Sequence, residues 1–505
     1  MDEETERLTA EAIDAARSGK RALAFERANA ALARGTRDSA VLARIGSCMA
    51  SLGRPHEALV AADAAIALDP LFAQAHYQRG VALGMLNDVE QMRRAHERVL
   101  SQCPNHVGAL ASLALIASQS ENVAEAYAYG ARALACMPGH AATLGALAVA
   151  DIAAGAFSAA AEKLCLVLGD PQAADDPRIE MVIAAAATAF DRRDRTAEAF
   201  AACEALNTRR RELHIARIEP HRAIDEVRRR IAYFDSCEAW PSRPVPPRTE
   251  TDAAGHVFLL GFMRSGTTLL ETILAGSHHV VAADEREFLA DAAREFLVSD
   301  AGLVRLAAAN EEELAFWRRR YWDGVTAAGL SVAGKVFVNK MPFNSLRLPL
   351  LARLFPEARV LLALRDPRDV VFSCFRNHFD ITSMTFEFLR LHDCAAFYAA
   401  VMQLIAVYRQ KLPLRVLECR YEDIVGNFPP TLHGICDFAN IAPESLSGDI
   451  SIAASAVDPR SPSAAQVRRG LYVGGIGQWR RYREQLQPVF PILAPWIGRF
   501  GYAAD

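Results

Sequence analysis

The chain has 505 residues, 51% hydrophobic and 23% charged, with a formal net charge of −4. That length exceeds one compact core and sets an expectation of two or more domains, while the near-neutral charge argues against nucleic acid as a partner. The acidic start Met1-Asp2-Glu3-Glu4 lacks an apolar leader core, and no apolar run is read as a membrane span of ~18 residues. The ten cysteines are scattered without a C-x-x-C pair, so the expectation is a reducing, cytoplasmic setting with neither disulfide framework nor metal site.

The first half is periodic. Pro70, Pro104 and Pro138 follow one another at 34-residue steps. Gly46, Gly80, Ala114 and Ala148 keep that period with a small residue, and Ala58, Met92, Ala126 and Ala160 form a second series. Leu42, Leu110 and Leu144 form a third, interrupted by His76, and Gly53, Asn87, Glu121 and Gly155 mark one phase as the inter-helix turn. Small residues let two helices approach closely, and a proline cannot continue a helix. A 34-residue unit of two amphipathic helices resembles the tetratricopeptide repeat, against the plainer reading of an Ala-rich bundle with accidental periodicity. Residues 39–172 carry four units, with helical segments near 5–35 and 176–232 extending or capping them, so 1–235 reads as a helical repeat domain. Such arrays stack into an α-solenoid whose concave face takes a protein or peptide partner, with self-association into a homo-oligomer as the other use.

Pro241, Pro244, Pro246 and Pro247 make 236–254 an extended linker. Beyond it, 255–505 alternates short apolar runs with helical patterns, as a mostly parallel α/β sheet does. Candidate strands are 256–261, 279–282, 335–339, 359–364 and 414–419. Each is followed by polar residues: Arg264, Asp284-Glu285, Lys340, Arg365 and Arg420-Tyr421. Ligands of such sheets bind outside the carboxyl ends of the strands, so these groups suit one anion-binding crevice.

Gly261-Phe262-Met263-Arg264-Ser265-Gly266-Thr267-Thr268 has the phosphate-loop spacing G-x-x-x-x-G-x-[ST] between a strand and a helix, with Thr267 where a nucleotide-hydrolysing loop carries lysine. The glycines admit backbone N–H groups to phosphate oxygens, the helix end favours the anion, and Arg264, Ser265, Thr267 and Thr268 add donors. In Leu364-Arg365-Asp366-Pro367-Arg368-Asp369-Val370-Val371-Phe372-Ser373, Asp366 caps a helix that opens at Pro367. Arg365 and Ser373 then fit either a grip on a second phosphate or a surface arginine beside a serine bonded to its own helix.

Arg264-Ser265-Gly266-Thr267-Thr268-Leu269 together with Arg365-Asp366-Pro367-Arg368 and Ser373 resembles the sulfotransferase superfamily, over about residues 255–503. The resemblance implies a P-loop-like α/β fold and 3′-phosphoadenosine 5′-phosphosulfate as co-substrate without a metal. It assigns Arg264, Ser265, Gly266, Thr267 and Thr268 to the 5′-phosphosulfate, and Arg365 and Ser373 to the 3′-phosphate. Glu285, 21 residues after Arg264, is spaced like the general base of tyrosylprotein sulfotransferases. Asn339-Lys340-Met341-Pro342-Phe343 is similar to their Asn-Lys-Asp-Pro-Phe segment, and Arg420-Tyr421-Glu422-Asp423 to a segment near the nucleotide. Gln466-Val467-Arg468 and Trp479 are similar to a segment closing over the donor, although Gly470 and Gly474-Gly475 depart from it.

The implied reaction moves a sulfuryl group to an acceptor hydroxyl, by resemblance a protein or peptide tyrosine. Glu285 acts as base, Lys340 and Arg264 stabilise charge, and Tyr421 and Arg468 contact the donor. His278, His279 and the acids Asp284 and Glu287 are alternative bases by position, and Trp479 fits the core as well as it fits the donor. A kinase-like enzyme using ATP and a non-catalytic repeat scaffold are the alternatives of other classes.

Overall fold

The computed structural model describes residues 3–18, 20–170, 177–237, 240–241, 251–442 and 473–504. It divides into two compact units, Met1–Leu206 and Asn207–Asp505.

In the first unit a helix pair, Glu3–Arg17 and Arg21–Ala33, precedes four pairs whose first helices begin at Ser39, Ala73, Val107 and Ala141. Their second helices begin at Pro55, Val89, Val123 and Phe157, so both series keep the 34-residue step read from the prolines. The unit is therefore a tetratricopeptide-type array. Gly53, Asn87, Glu121 and Gly155 all have positive φ, between 59° and 81°, which is the left-handed conformation that closes each hairpin. The small-residue series sits where the helices cross: a Cβ on Gly80 would lie 2.5 Å from the His96 ring.

The next helix, Pro177–Arg192, leaves the repeat pattern. It lies against the first helices of three units, Ala73–Met85, Val107–Gln119 and Ala141–Ala154. Met181 reaches Gly84 and Met92, and Val182 packs on Gly145 so closely that a Cβ there would lie 2.2 Å from it. Arg192 pairs with Glu121 at 3.3 Å, anchoring the other end.

The second unit starts inside the long helix Thr196–Ile218. The helix Ala223–Ser236, which the sequence reading assigned to the repeats, packs here against the helix Leu391–Lys411, and Phe234 meets Tyr408 edge to face. Its apolar face has Ile224, Val227, Ile231 and Phe234 inside, and the C-terminal core receives it. Of the proline-rich segment, residues 242–250 lie outside the described residues.

Five parallel strands follow: β1 Gly255–Gly261, β2 Val280–Ala282, β3 Val336–Lys340, β4 Arg359–Leu364 and β5 Arg415–Arg420. Their order is β2-β3-β1-β4-β5, and every strand end lies within one residue of its expected place. Alternate residues of β1 enter different cores: Phe258 and Leu260 on one face, Val257 and Leu259 on the other. Helices cover both faces, as a parallel sheet requires. Leu391–Lys411 has the length and mean hydropathy of a membrane span, contrary to the sequence expectation, yet two-thirds of its apolar window is buried in this unit. It is the central helix of the larger core, with Phe397, Tyr398, Val401, Leu404 and Tyr408 inside.

Candidate active site

Chain order reverses direction at β1, because β3 and β4 flank it. Open α/β sheets bind ligands at such a switch point, outside the strand carboxyl ends. The loop after β1 turns through Arg264 at φ 68° and Gly266 at φ 97°, and the helix Thr267–Ala275 starts immediately afterwards. Two of the loop's glycines are obligatory for different reasons. A Cβ on Gly261 would strike the Ala363 carbonyl oxygen of β4 at 2.6 Å, and one on Gly266 would meet the Tyr421 ring at 2.7 Å. Ser265, Thr267 and Thr268 are buried around the same turn.

Arg264 points inward. Its Nε donates to Ser373 Oγ at 3.0 Å, so Ser373 faces the loop rather than only its own helix Pro367–Arg376. Asp366 caps that helix, accepting from Arg368 N at 2.9 Å. Arg365, just before the cap, is buried; its Nη1 donates to the Arg264 carbonyl at 3.1 Å, and its guanidinium lies 5.0 Å from the Tyr421 ring centre. Its Nη2 donates to the Gly475 carbonyl. The buried Nε of Arg365 has no partner among the described residues. Burial, and then the neighbouring charge of Arg365, pull the Arg264 guanidinium down to about 10. Two buried guanidinium groups beside a glycine loop at a helix amino end form a cradle for an anion carrying more than one charge.

A second cluster lies at the ends of β2 and β3. Lys340 Nζ sits 2.9 Å from Asp284 Oδ1, 3.0 Å from Glu285 Oε1 and 3.2 Å from Glu271 Oε2. The ammonium is buried, whereas Asp284 and Glu285 are exposed on their turn. Burial opposes the charge on Lys340, but Glu271, Glu285 and Asp284 outweigh it and hold its pKa above the ordinary lysine range. Glu271 projects from the helix that the phosphate loop opens, and burial pushes its carboxyl up to about 7. Asn339, next to Lys340, turns the other way and donates to the Tyr321 hydroxyl at 3.0 Å in the core.

The expected residues thus fall into two groups. Arg264, Ser265, Gly266, Thr267, Thr268, Arg365, Ser373 and Tyr421 gather at the ends of β1, β4 and β5, and Glu285 and Lys340 at the ends of β2 and β3. His278 and His279 are exposed and precede β2, at the amino ends of the strands, whereas Lys340 lies at the carboxyl end of β3. Glu287 pairs with Arg347 at 2.5 Å instead of Lys340. Trp479 is fully buried with Arg368 stacked 3.8 Å above its ring, which makes it a core residue. Gln466, Val467, Arg468 and Gly470 lie outside the described residues.

Residues 256–444 match the family model described as Sulfotransferase family. The second unit carries a sulfotransferase family domain. Among curated proteins, the chain is 27% identical over 253 residues to an uncharacterized protein of Aquifex aeolicus (strain VF5), covering 47% of this chain and 32% of that protein. It is 24% identical over 271 residues to Protein-tyrosine sulfotransferase A of Caenorhabditis elegans, covering 49% of this chain and 67% of that one. The match therefore spans about a third of the length of the Aquifex relative. Solved structures that align include a sulfotransferase from Mycobacterium avium at 16% identity, covering 59% of this chain and 84% of that one with a TM-score of 0.28. A tetratricopeptide repeat protein from Parabacteroides merdae aligns at 18% identity, over 45% of this chain and 91% of that one, with a TM-score of 0.30.

Three acids of the sulfotransferase domain have partners that their sequence context does not reveal. Glu271 was hidden in an apolar helix, where a lone acid among Leu269, Leu270, Ile273 and Leu274 was the available signal. Asp369 is buried and accepts from Gly477 N at 2.7 Å and Trp479 N at 2.9 Å, tying the C-terminal segment to the Arg365 helix. Glu422 accepts from Asp366 N at 3.0 Å and from the Tyr502 hydroxyl at 2.7 Å, bracing the same helix cap.

Proposed function

We propose that the sulfotransferase domain moves a sulfuryl group from 3′-phosphoadenosine 5′-phosphosulfate to an acceptor hydroxyl, with a tyrosine of a protein or peptide as the acceptor and the repeats as recruiter of that protein. The observation that carries the reading is the pair of buried guanidinium groups, Arg264 and Arg365, converging on a glycine loop whose lysine position holds Thr267. The orphaned Arg365 Nε, beside the Gly266 loop on which the Tyr421 ring closes, suits a donor with phosphates at both ends of its ribose.

In this reading Ser265, Gly266, Thr267 and Thr268 present N–H and hydroxyl donors to the 5′ end, and Arg365 and Ser373 hold the 3′-phosphate. When bound, the co-substrate supplies the sulfuryl group and departs as adenosine 3′,5′-bisphosphate. Glu285, exposed on its turn, takes the proton of the acceptor hydroxyl, a role contributing ~10²–10⁴-fold. A phenol with a pKa of about 10 is a reluctant proton donor, so a positioned carboxylate is needed. Lys340 and Arg264 neutralise negative charge on either side of the transferring group, at about 3 kcal/mol per donor by analogy with oxyanion holes. The place of His278 and His279 at the amino end of β2, away from the strand carboxyl ends, favours Glu285 over either histidine.

The test incubates the full chain with ³⁵S-labelled donor and a lysate or tyrosine-containing peptide library, followed by identification of the labelled species. Label on tyrosine is the expected result, and label on sugars or lipids would replace the acceptor class. Thermal stabilisation by ATP–Mg²⁺ but not by adenosine 3′,5′-bisphosphate would overturn the donor assignment in favour of a kinase-like enzyme.

A further inference from the structure

Glu271 is an unusual expense for the fold. It lies on the helix Thr267–Ala275, where every residue from Thr267 to Leu274 is buried. A carboxylate in such a place costs several kcal/mol unless its oxygens are matched, and an apolar side chain like its neighbours would avoid that cost. Both oxygens are matched, and to different elements. Oε1 accepts from Asp284 N at 2.9 Å, and Oε2 lies 3.2 Å from Lys340 Nζ.

The backbone at Asp284 needs that hydrogen bond. Asp284 has φ 52°, a left-handed conformation that a side-chain-bearing residue adopts at some cost. Ala283 N on one side donates to the Val338 carbonyl of β3 at 3.0 Å, and Asp284 N donates to Glu271. Together they fix the turn from which Glu285 projects. Of the three carboxylates around Lys340, Asp284 and Glu285 are exposed and can turn toward a ligand, whereas Glu271 is held on a buried helix. When Glu285 turns to an acceptor proton, Glu271 is the partner that stays.

We propose that Glu271 is a positioning residue for sulfuryl transfer: from the phosphate-loop helix it clamps the Glu285 turn and leashes the Lys340 ammonium, so that donor site, base and cation keep one spacing. The proposal rests on the transfer reading above. Glu271 touches neither substrate nor reacting atoms in this arrangement; it acts through Asp284, Glu285 and Lys340. The titratable groups that act on it directly are Lys340 from β3 and Asp284 from the turn after β2, and Glu285 is reached through Lys340. Without its charge Lys340 is left to the exposed carboxylates and holds Glu285 more tightly, which lowers the supply of free base.

The test compares Glu271→Gln with the wild type in the full chain. Gln keeps an oxygen for Asp284 N and removes the charge. The expected result is a kcat about 10- to 100-fold lower, with donor affinity within about 2-fold, since the phosphate loop is untouched. In the wild type kcat/KM should fall as pH drops through about 7, where Glu271 takes up a proton, and the Gln variant should lack that limb. Wild-type kcat and an unchanged pH profile in Glu271→Gln would reduce Glu271 to a structural acid and overturn the proposal. A second readout needs no turnover: the ¹⁵N signal of the Lys340 ammonium, identified by its loss in Lys340→Arg. Slow proton exchange in the wild type that becomes fast in Glu271→Gln supports the leash, and unchanged exchange refutes it. A wild type that transfers no label to any acceptor defeats the transfer reading, while the ammonium signal still decides whether Glu271 holds Lys340.

Discussion

The two units bury different kinds of surface. Among the described residues the repeat array buries one acid, Asp151, which is paired with Lys163 at 2.6 Å, and no lysine or arginine. The sulfotransferase domain buries charge in several places. Some of it is closed: Arg353 donates to the Leu306 and Ala309 carbonyls at 3.1 and 2.9 Å, and Glu387 holds Arg222. Some of it converges on the strand ends, as Arg264, Arg365 and Lys340 do. Burying a charge is costly without a partner, so a chain that buries several cations at the carboxyl ends of its strands has a use for them beyond packing. The buried surface of the array is mostly alanine with larger aliphatic side chains, which is what close helix packing requires.

This contrast can be broken by experiment. The largest expected effect is in the Lys340 cluster, if Glu285 is the base proposed above: Glu285→Ala should lower transfer by ~10²–10⁴-fold while leaving adenosine 3′,5′-bisphosphate binding unchanged by calorimetry. Full activity in that variant would end its role as base. The second concerns acid. His256 is buried with Nε2 2.9 Å from the Tyr321 hydroxyl, and burial pushes its pKa down to about 3. The unfolded chain then binds more protons than the folded one between about pH 3 and 6.5, so stability rises with pH through that window. The contribution is complete above about 6.5 and is lost on acidification, by up to about 4 kcal/mol. All five tryptophans, Trp240, Trp317, Trp322, Trp479 and Trp496, belong to the second unit, so their fluorescence follows that unit alone. Urea midpoints by fluorescence should fall from pH 7 to 4, and His256→Phe should flatten the decline.

Smaller effects follow. Arg365→Ala removes a charged hydrogen-bonding group from the cradle and should weaken adenosine 3′,5′-bisphosphate by ~10- to 100-fold, measured by titration. Unaltered affinity would place the 3′-phosphate elsewhere. In the array, Gly145→Val puts a branched side chain where Val182 already sits and should cost about 1–3 kcal/mol of helical stability by circular dichroism. Tryptophan fluorescence and kcat should not respond. A matching loss in both signals would mean that the units do not unfold separately.

Legibility in the sequence followed the same divide. The array was readable because each helix repeats a need that its neighbours share, so Pro70, Pro104 and Pro138 report one geometry three times. The domain was readable at its strand ends, where Gly266, Arg264 and Arg365 stand at fixed spacings around one loop. Glu271 stayed hidden because its partners, Asp284 and Lys340, are distant in sequence and meet through the crossover that sets β3 between β1 and β2. The helix Ala223–Ser236 was misassigned because an amphipathic helix states that it needs a core without stating which one. Pro177–Arg192 carries the array's composition but not its period, so where it lands could not be read from spacing.

That last helix has a consequence for any guest of the repeats. It is covalently tethered and already seated on the first helices of three units, with Met181 and Val182 in the gaps that Gly84 and Gly145 leave. A tethered segment competes at a local concentration on the order of millimolar. A peptide aimed at the same helices must displace a resident rather than enter an empty groove, and its measured affinity will be the difference between the two.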